Sequence, residues 1–115
     1  MTREEIIELA QNLNTPPETL AELSRDERII VRIKVAMNPN TPQETLAELS
    51  RDGDNWVRSN VAKNPSTSIE TLVELSRDQD ERVREWVAKN PKWKRLKKLG
   101  ILDQAIAASK YLGIL

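Results

Sequence analysis

NPNTPQETLAELSRD, residues 38–52, is written three times in this chain. Moved back by 26 positions it reads NLNTPPETLAELSRD from Asn12, and moved forward by 26 it reads NPSTSIETLVELSRD from Asn64. Contiguous copies at such a period are the mark of a stacked-repeat architecture, so one copy decides the fold. In Thr41–Ser66, Thr41 is placed to cap a helix, Pro42 suits the first helical position, and Glu44 stands three residues on, where a capping box needs an acid. Leu46, Ala47 and Leu49 form a short apolar stripe before SRDGD interrupts it. A second helix follows in NWVRSNVAKN, with Val57, Val61 and Ala62 on one side. It must stop near Asn64, because Pro65 disfavours helical geometry in the residue before it. Thr15 with Glu18 and Thr67 with Glu70 repeat the capping pattern, and Pro39 and Pro91 close the other second helices.

Each predicted helix is about ten residues long, below the roughly 12–15 at which an isolated helix is even marginal in water. Its stability must come from the pair stacked beside it, which predicts an all-α solenoid. The apolar positions recur at helical spacing, which rules out alternating strands. The ends depart from the pattern as capping units do. The expected division is an N-terminal capping helix over 1–14, opened by Thr2 and Glu5, three helical repeats over 15–91, and C-terminal capping helices over 92–115.

The run VRSNVAKNPST from Val57, continued by ETLVELS, resembles the leucine-rich repeat variant (LRV) family, a relative in shape of the HEAT and armadillo α-solenoids. The resemblance covers roughly residues 5–91 and implies a right-handed superhelix of paired short helices, with the helix of the PxETLxxL segment able to tighten to 3₁₀. Some members of the family hold an iron–sulfur cluster on cysteines. This chain has no Cys, so that feature does not carry over, and the family supplies no shared catalytic residues.

Composition narrows function mainly by exclusion. Without Cys or His there are no thiolate nucleophiles, histidine triads or ordinary zinc sites, and no Gly-punctuated calcium loop occurs. No cofactor or metal is expected. MTREEIIELAQ lacks the apolar stretch of a signal peptide, and the most apolar segment, from Ile101, carries Asp103 and Lys110 and is too short to span a bilayer. These features set the expectation of a cytoplasmic protein. The pairs Glu18/Glu22, Glu44/Glu48 and Glu70/Glu74 imitate the two carboxylates of a glycosidase. They recur in every copy, however, as a solvated outer face would, with Arg25, Arg51 and Arg77 three residues on to offset them, and nothing sets the two members of a pair apart in pKa. No catalytic residue is expected.

Superposing the second helices separates constant from changing positions. Val31, Val57, Val83, Val35, Val61, Val87, Ala36, Ala62 and Ala88 are expected in the core. Asn38, Asn64 and Asn90 are expected to bond local main chain in the Asn-Pro turn. Arg32, Arg58 and Arg84 face Asp26, Asp52 and Asp78, as interlayer ion pairs or, in the rival reading, as an anion-binding stripe. The changing positions are Ile30, Ile33, Lys34 and Met37; Trp56, Ser59, Asn60 and Lys63; and Arg82, Glu85, Trp86 and Lys89. Their i, i+3, i+4, i+7 spacing predicts one varied surface across three helices, expected to bind a protein or peptide. The competing reading is a self-contained cation–π cluster of Arg82 with Trp56 and Trp86.

Charge is segregated along the chain. Residues 1–91 hold 12 basic and 17 acidic side chains, and residues 92–115 hold 6 and 1. Lys92, Lys94, Arg95, Lys97 and Lys98 surround Trp93 and form the alternative, nucleic-acid-binding site. Equally, Trp93, Leu96 and Leu99 can close the end of the stack while the lysines keep it soluble. Attraction between the acidic body of one molecule and the basic tail of another is a third expectation, leaving the oligomeric state open.

Overall fold

The computed structural model describes the backbone of residues 1–111 and the side chains through residue 108. Nine α-helices are present among the described residues: α1 Arg3–Gln11, α2 Pro17–Leu23, α3 Ile29–Met37, α4 Gln43–Leu49, α5 Asn55–Lys63, α6 Ile69–Leu75, α7 Glu81–Lys89, α8 Pro91–Lys98 and α9 Leu102–Tyr111. The longer helices α1, α3, α5 and α7 lie side by side, each packed chiefly on the next, and α2, α4 and α6 pack against them from one side. The result is an α-solenoid with principal extents of 47 × 26 × 24 Å.

One aliphatic spine runs through the layers. Leu20, Leu46 and Leu72 of the short helices meet Val31, Val35, Val57, Val61, Val83 and Val87 of the long ones, all buried. The PxETLxxL helices are α-helical, not 3₁₀. The long helices stop at Asn38, Asn64 and Asn90, just before the residue or proline that the sequence marks as a breaker.

The helix starts differ from expectation at two kinds of position. Thr2 and Glu5 do form the reciprocal capping box of α1, and the Thr2 bonds hold the Glu5 carboxyl below its usual value. Thr15, Thr41 and Thr67, however, do not cap α2, α4 and α6, whose N-caps are Pro16, Pro42 and Ser68. Their hydroxyls point backward and donate to carbonyls near the end of the preceding long helix, Thr41 to Val35 at 2.7 Å and Thr67 to Val61 at 2.6 Å. Those last-turn carbonyls have lost their i+4 helical donor and keep only the N–H of Asn38 or Asn64, three residues on; the threonine hydroxyl fills the second acceptor position of a buried group.

Ala88 is the exception among the expected core residues. Ala36 and Ala62 are fully buried, whereas Ala88 is exposed, because no further long helix continues the row past α7: α8 packs on both α7 and α6, and α9 on α6 and α8. Trp93 packs on the spine as a cap residue should, but Leu99 is 60% exposed and closes nothing. It is the last α-like residue of α8; Gly100 then takes φ 72°. Ile101 N–H bonds to Leu96 and Gly100 N–H to Lys97, a Schellman closure that needs the left-handed residue. Residues 112–115, the end of the apolar C-terminal segment, lie outside the described residues.

Candidate functional site

The changing residues lie along the open side of α3, α5 and α7, where Ile30, Ile33 and Trp86 also pack against the spine. Trp56 is 54% exposed and Met37 49%; Lys63, Arg82 and Lys89 are exposed and Ile30, Lys34, Asn60 and Trp86 half-buried. Ser59 does not share this surface, and Ile33 and Glu85 lie at its edge. Ser59 is buried and Ile33 packs against the spine, while Glu85 is exposed on the last long helix. At about 100° per residue the four expected positions span an arc of about 100°. Ile33, Ser59 and Glu85 stand at its edge, which in a stack faces the next helix and not solvent.

Two clefts open between neighbouring long helices and repeat each other in register. One, about 210 Å³, is lined by Gln11, Leu13, Lys34, Met37, Asn38 and Pro39. The next, about 170 Å³, is lined by Met37, Asn60, Lys63, Asn64 and Pro65. At the third equivalent place the indole of Trp86 stands where Lys34 and Asn60 stand in the other layers. Lys63 and Lys89 approach that ring to 4.3 and 5.0 Å from its centroid. Arg82 lies 5.2 Å from the ring of Trp56. The expected trio therefore resolves into two separate contacts, with lysines and not Arg82 on Trp86.

The arginine ladder is an interlayer ion-pair system in two of its three layers. Arg32 Nε reaches Asp52 at 2.7 Å and Arg58 Nε reaches Asp78 at 2.9 Å, each pairing with the following layer. Their Nη1 groups donate to the main-chain oxygens of Asp26 and Asp52. The hydrogen bond to Asp78 raises the pKa of Arg58 above its usual value. Arg84 bonds the Asp78 carbonyl, but no ion pair to it occurs among the described residues. The guanidinium donors of Arg32 and Arg58 are thus occupied, which leaves little of a stripe for anions. Arg25 and Arg51 likewise reach forward to Glu48 and Glu74 of the next layer, not to the glutamate three residues before them in their own helix.

The asparagines do more than sequence reasoning assigned to them. Asn64 accepts from the Ser66 N–H within its own turn, as expected. Its amide also donates to Ala36 and Asn38 in the preceding layer, at 2.8 and 2.9 Å, and Asn38 and Asn90 do the same one layer earlier and later. The signal was present in the sequence: an amide kept at an otherwise apolar position of every copy needs buried partners on both ends.

On α8, Lys94, Arg95, Lys97 and Lys98 are exposed, whereas Lys92 donates to the Thr67 carbonyl at 2.7 Å and is tied to the stack. Among the described residues no group of His, Cys, Asp or Glu could hold a metal ion, and no helix is long and apolar enough to cross a membrane.

Comparison with curated proteins and with solved structures gives no match. Residues 31–54, running from α3 through α4 to the N-cap of α5, are similar to the leucine rich repeat variant family, in a chain that is a helical repeat protein throughout its stacked layers.

Proposed function

We propose that this repeat scaffold works without catalysis, gripping a protein or peptide partner along the open side of its long helices through Trp56, Lys63, Arg82, Trp86 and Lys89, with Ile30, Lys34, Met37 and Asn60. We assign residues 15–91 as the three repeats that carry this surface, with 1–14 and 92–115 as caps. The observation that carries the reading is Trp56, more than half exposed on α5, the middle of the three long helices that bear the varied face. An indole left in solvent forgoes burial that the fold offers elsewhere, and Trp is the residue most enriched in binding hot spots.

Photo-crosslinking tests this. A crosslinker at position 63 is expected to trap a discrete protein adduct that Trp56→Ala reduces several-fold, while one at position 44, on the outer face, traps none. Circular dichroism of each variant must match the parent. Equal adducts at both positions would remove the proposal.

A second reading draws on the four exposed cations of α8, which suit a nucleic-acid backbone. It requires affinity for a single-stranded RNA probe that falls steeply with salt and is lost on reversing Lys94, Arg95, Lys97 and Lys98 to Glu. The Trp-centred contact would scarcely respond to salt.

A further inference from the structure

Resting on the reading of the open face as a binding surface, we infer that its two clefts receive an acidic segment in polyproline II conformation, with apolar side chains three residues apart. The clefts, about 210 and 170 Å³, are smaller than the roughly 300–1,000 Å³ of small-molecule pockets. Each suits one side chain. Their walls are largely apolar, from Leu13, Pro39 and Pro65, and Met37 forms the rib between them.

Spacing selects the backbone. Neighbouring helix axes stand about 8–10 Å apart, and polyproline II, rising about 3.1 Å per residue with three residues per turn, returns to the same face every ~9.3 Å. A β-strand returns at about 6.8 Å and again near 13.6 Å, missing the second cleft. An α-helix can place residues i and i+7 about 10.5 Å apart, but it brings i+3 and i+4 down between them, onto Met37. In polyproline II the two intervening residues turn away from that rib.

Charge selects composition. Lys34 and Lys63 stand at the clefts and Lys89 repeats Lys63 one layer on; none of the three forms an ion pair among the described residues. An acidic segment meets three ammonium groups without a carboxylate partner among the described residues, two of which, Lys63 and Lys89, also lie over the Trp86 ring, and a basic segment would be repelled.

Three blocked peptides test the inference by amide chemical shifts and titration. EEPLEPLEPEE has leucines three apart, EEPLEPELPEE has the same composition with leucines four apart, and KKPLKPLKPKK reverses the charge. The first is expected to shift Met37, Asn60 and Lys63 and to bind about tenfold or more tighter than either other peptide. Met37→Glu, with unfolding unchanged, is expected to weaken it by about tenfold, since it replaces the apolar wall shared by both clefts with a carboxylate facing a negatively charged segment. Equal binding of the four-apart or the basic peptide, an unaffected Met37→Glu variant, or no shift with any of the three overturns the inference. Such a failure leaves the binding surface itself to be judged by the position-63 crosslink, which uses no designed peptide.

Discussion

At the scale of single residues, the amide of Asn64 shows how a layer is held to its neighbour by groups the helices cannot satisfy themselves. The carbonyls of Ala36 and Asn38 fall where a helix runs out of donors, and both meet this one side chain. Asn64→Ala strands the Ala36 carbonyl, at a cost of about 1–3 kcal/mol, and takes the Oδ1 acceptor from the Ser66 N–H, while the Asn38 carbonyl keeps the Thr41 N–H. Equilibrium denaturation is expected to show a loss of about 2–4 kcal/mol, and a loss under about 0.5 kcal/mol would mean the ladder is ornamental. Asp80 offers a pH readout. Asn55 donates to its Oδ2 at 2.6 Å and the Arg82 N–H to its Oδ1, which holds the carboxyl below the ordinary aspartate value of 3.8. The folded state therefore binds this proton less tightly than the unfolded chain does. The contribution is fully present above the ordinary value and is lost as pH falls through the depressed one. Asn55→Ala is expected to move the Asp80 carboxyl titration, followed by NMR, upward toward 3.8.

At the scale of elements, α3, α5 and α7 share a sequence pattern but not an environment. Ala62 lies under α7 with no exposed surface, and Ala88, its counterpart, faces solvent. Ala62→Leu must push two helices apart and is expected to cost about 1–3 kcal/mol. Ala88→Leu is expected to stay within about 0.5 kcal/mol. Thermal unfolding of the pair checks this, and equal losses would show that α7 is covered. The short helices differ from their forecast in the same manner. The proline N-caps of α2 and α4 offer no side-chain acceptor, Ser68 caps α6 through the Thr71 N–H, and Thr15, Thr41 and Thr67 are spent on the helix behind, not the one ahead. A capping rule that looks only forward cannot see a buried carbonyl six residues back.

At the scale of the whole molecule, stability is passed from layer to layer, so it depends on how many neighbours a layer has. α5 is flanked by long helices on both sides, α7 on one. Native-state hydrogen exchange is expected to protect the Val61 amide more than that of Val87, by a factor that grows as denaturant is withdrawn. Equal protection would show a single cooperative block. The segregation of charge also acts at this scale: the short helices carry six glutamates and no cation in α2, α4 and α6, while the free lysines collect on the open face and on α8. The molecule thus presents an acidic back and a basic front, which disfavours a basic partner on the front.

Periodicity and helix-breaking prolines alone determined the helices, their order and their aliphatic spine, because these depend on local geometry and on burial that every copy must repeat. The same information placed Trp56, Lys63 and Trp86 on one variable strip. Only the tertiary structure decided that Ser59 is buried under the next layer while Glu85 is not, that Asn64 reaches back 28 residues to Ala36, and that Met37 divides two clefts. Each of these depends on which helix lies alongside, and a repeat copied along the chain is silent about where its neighbours stop.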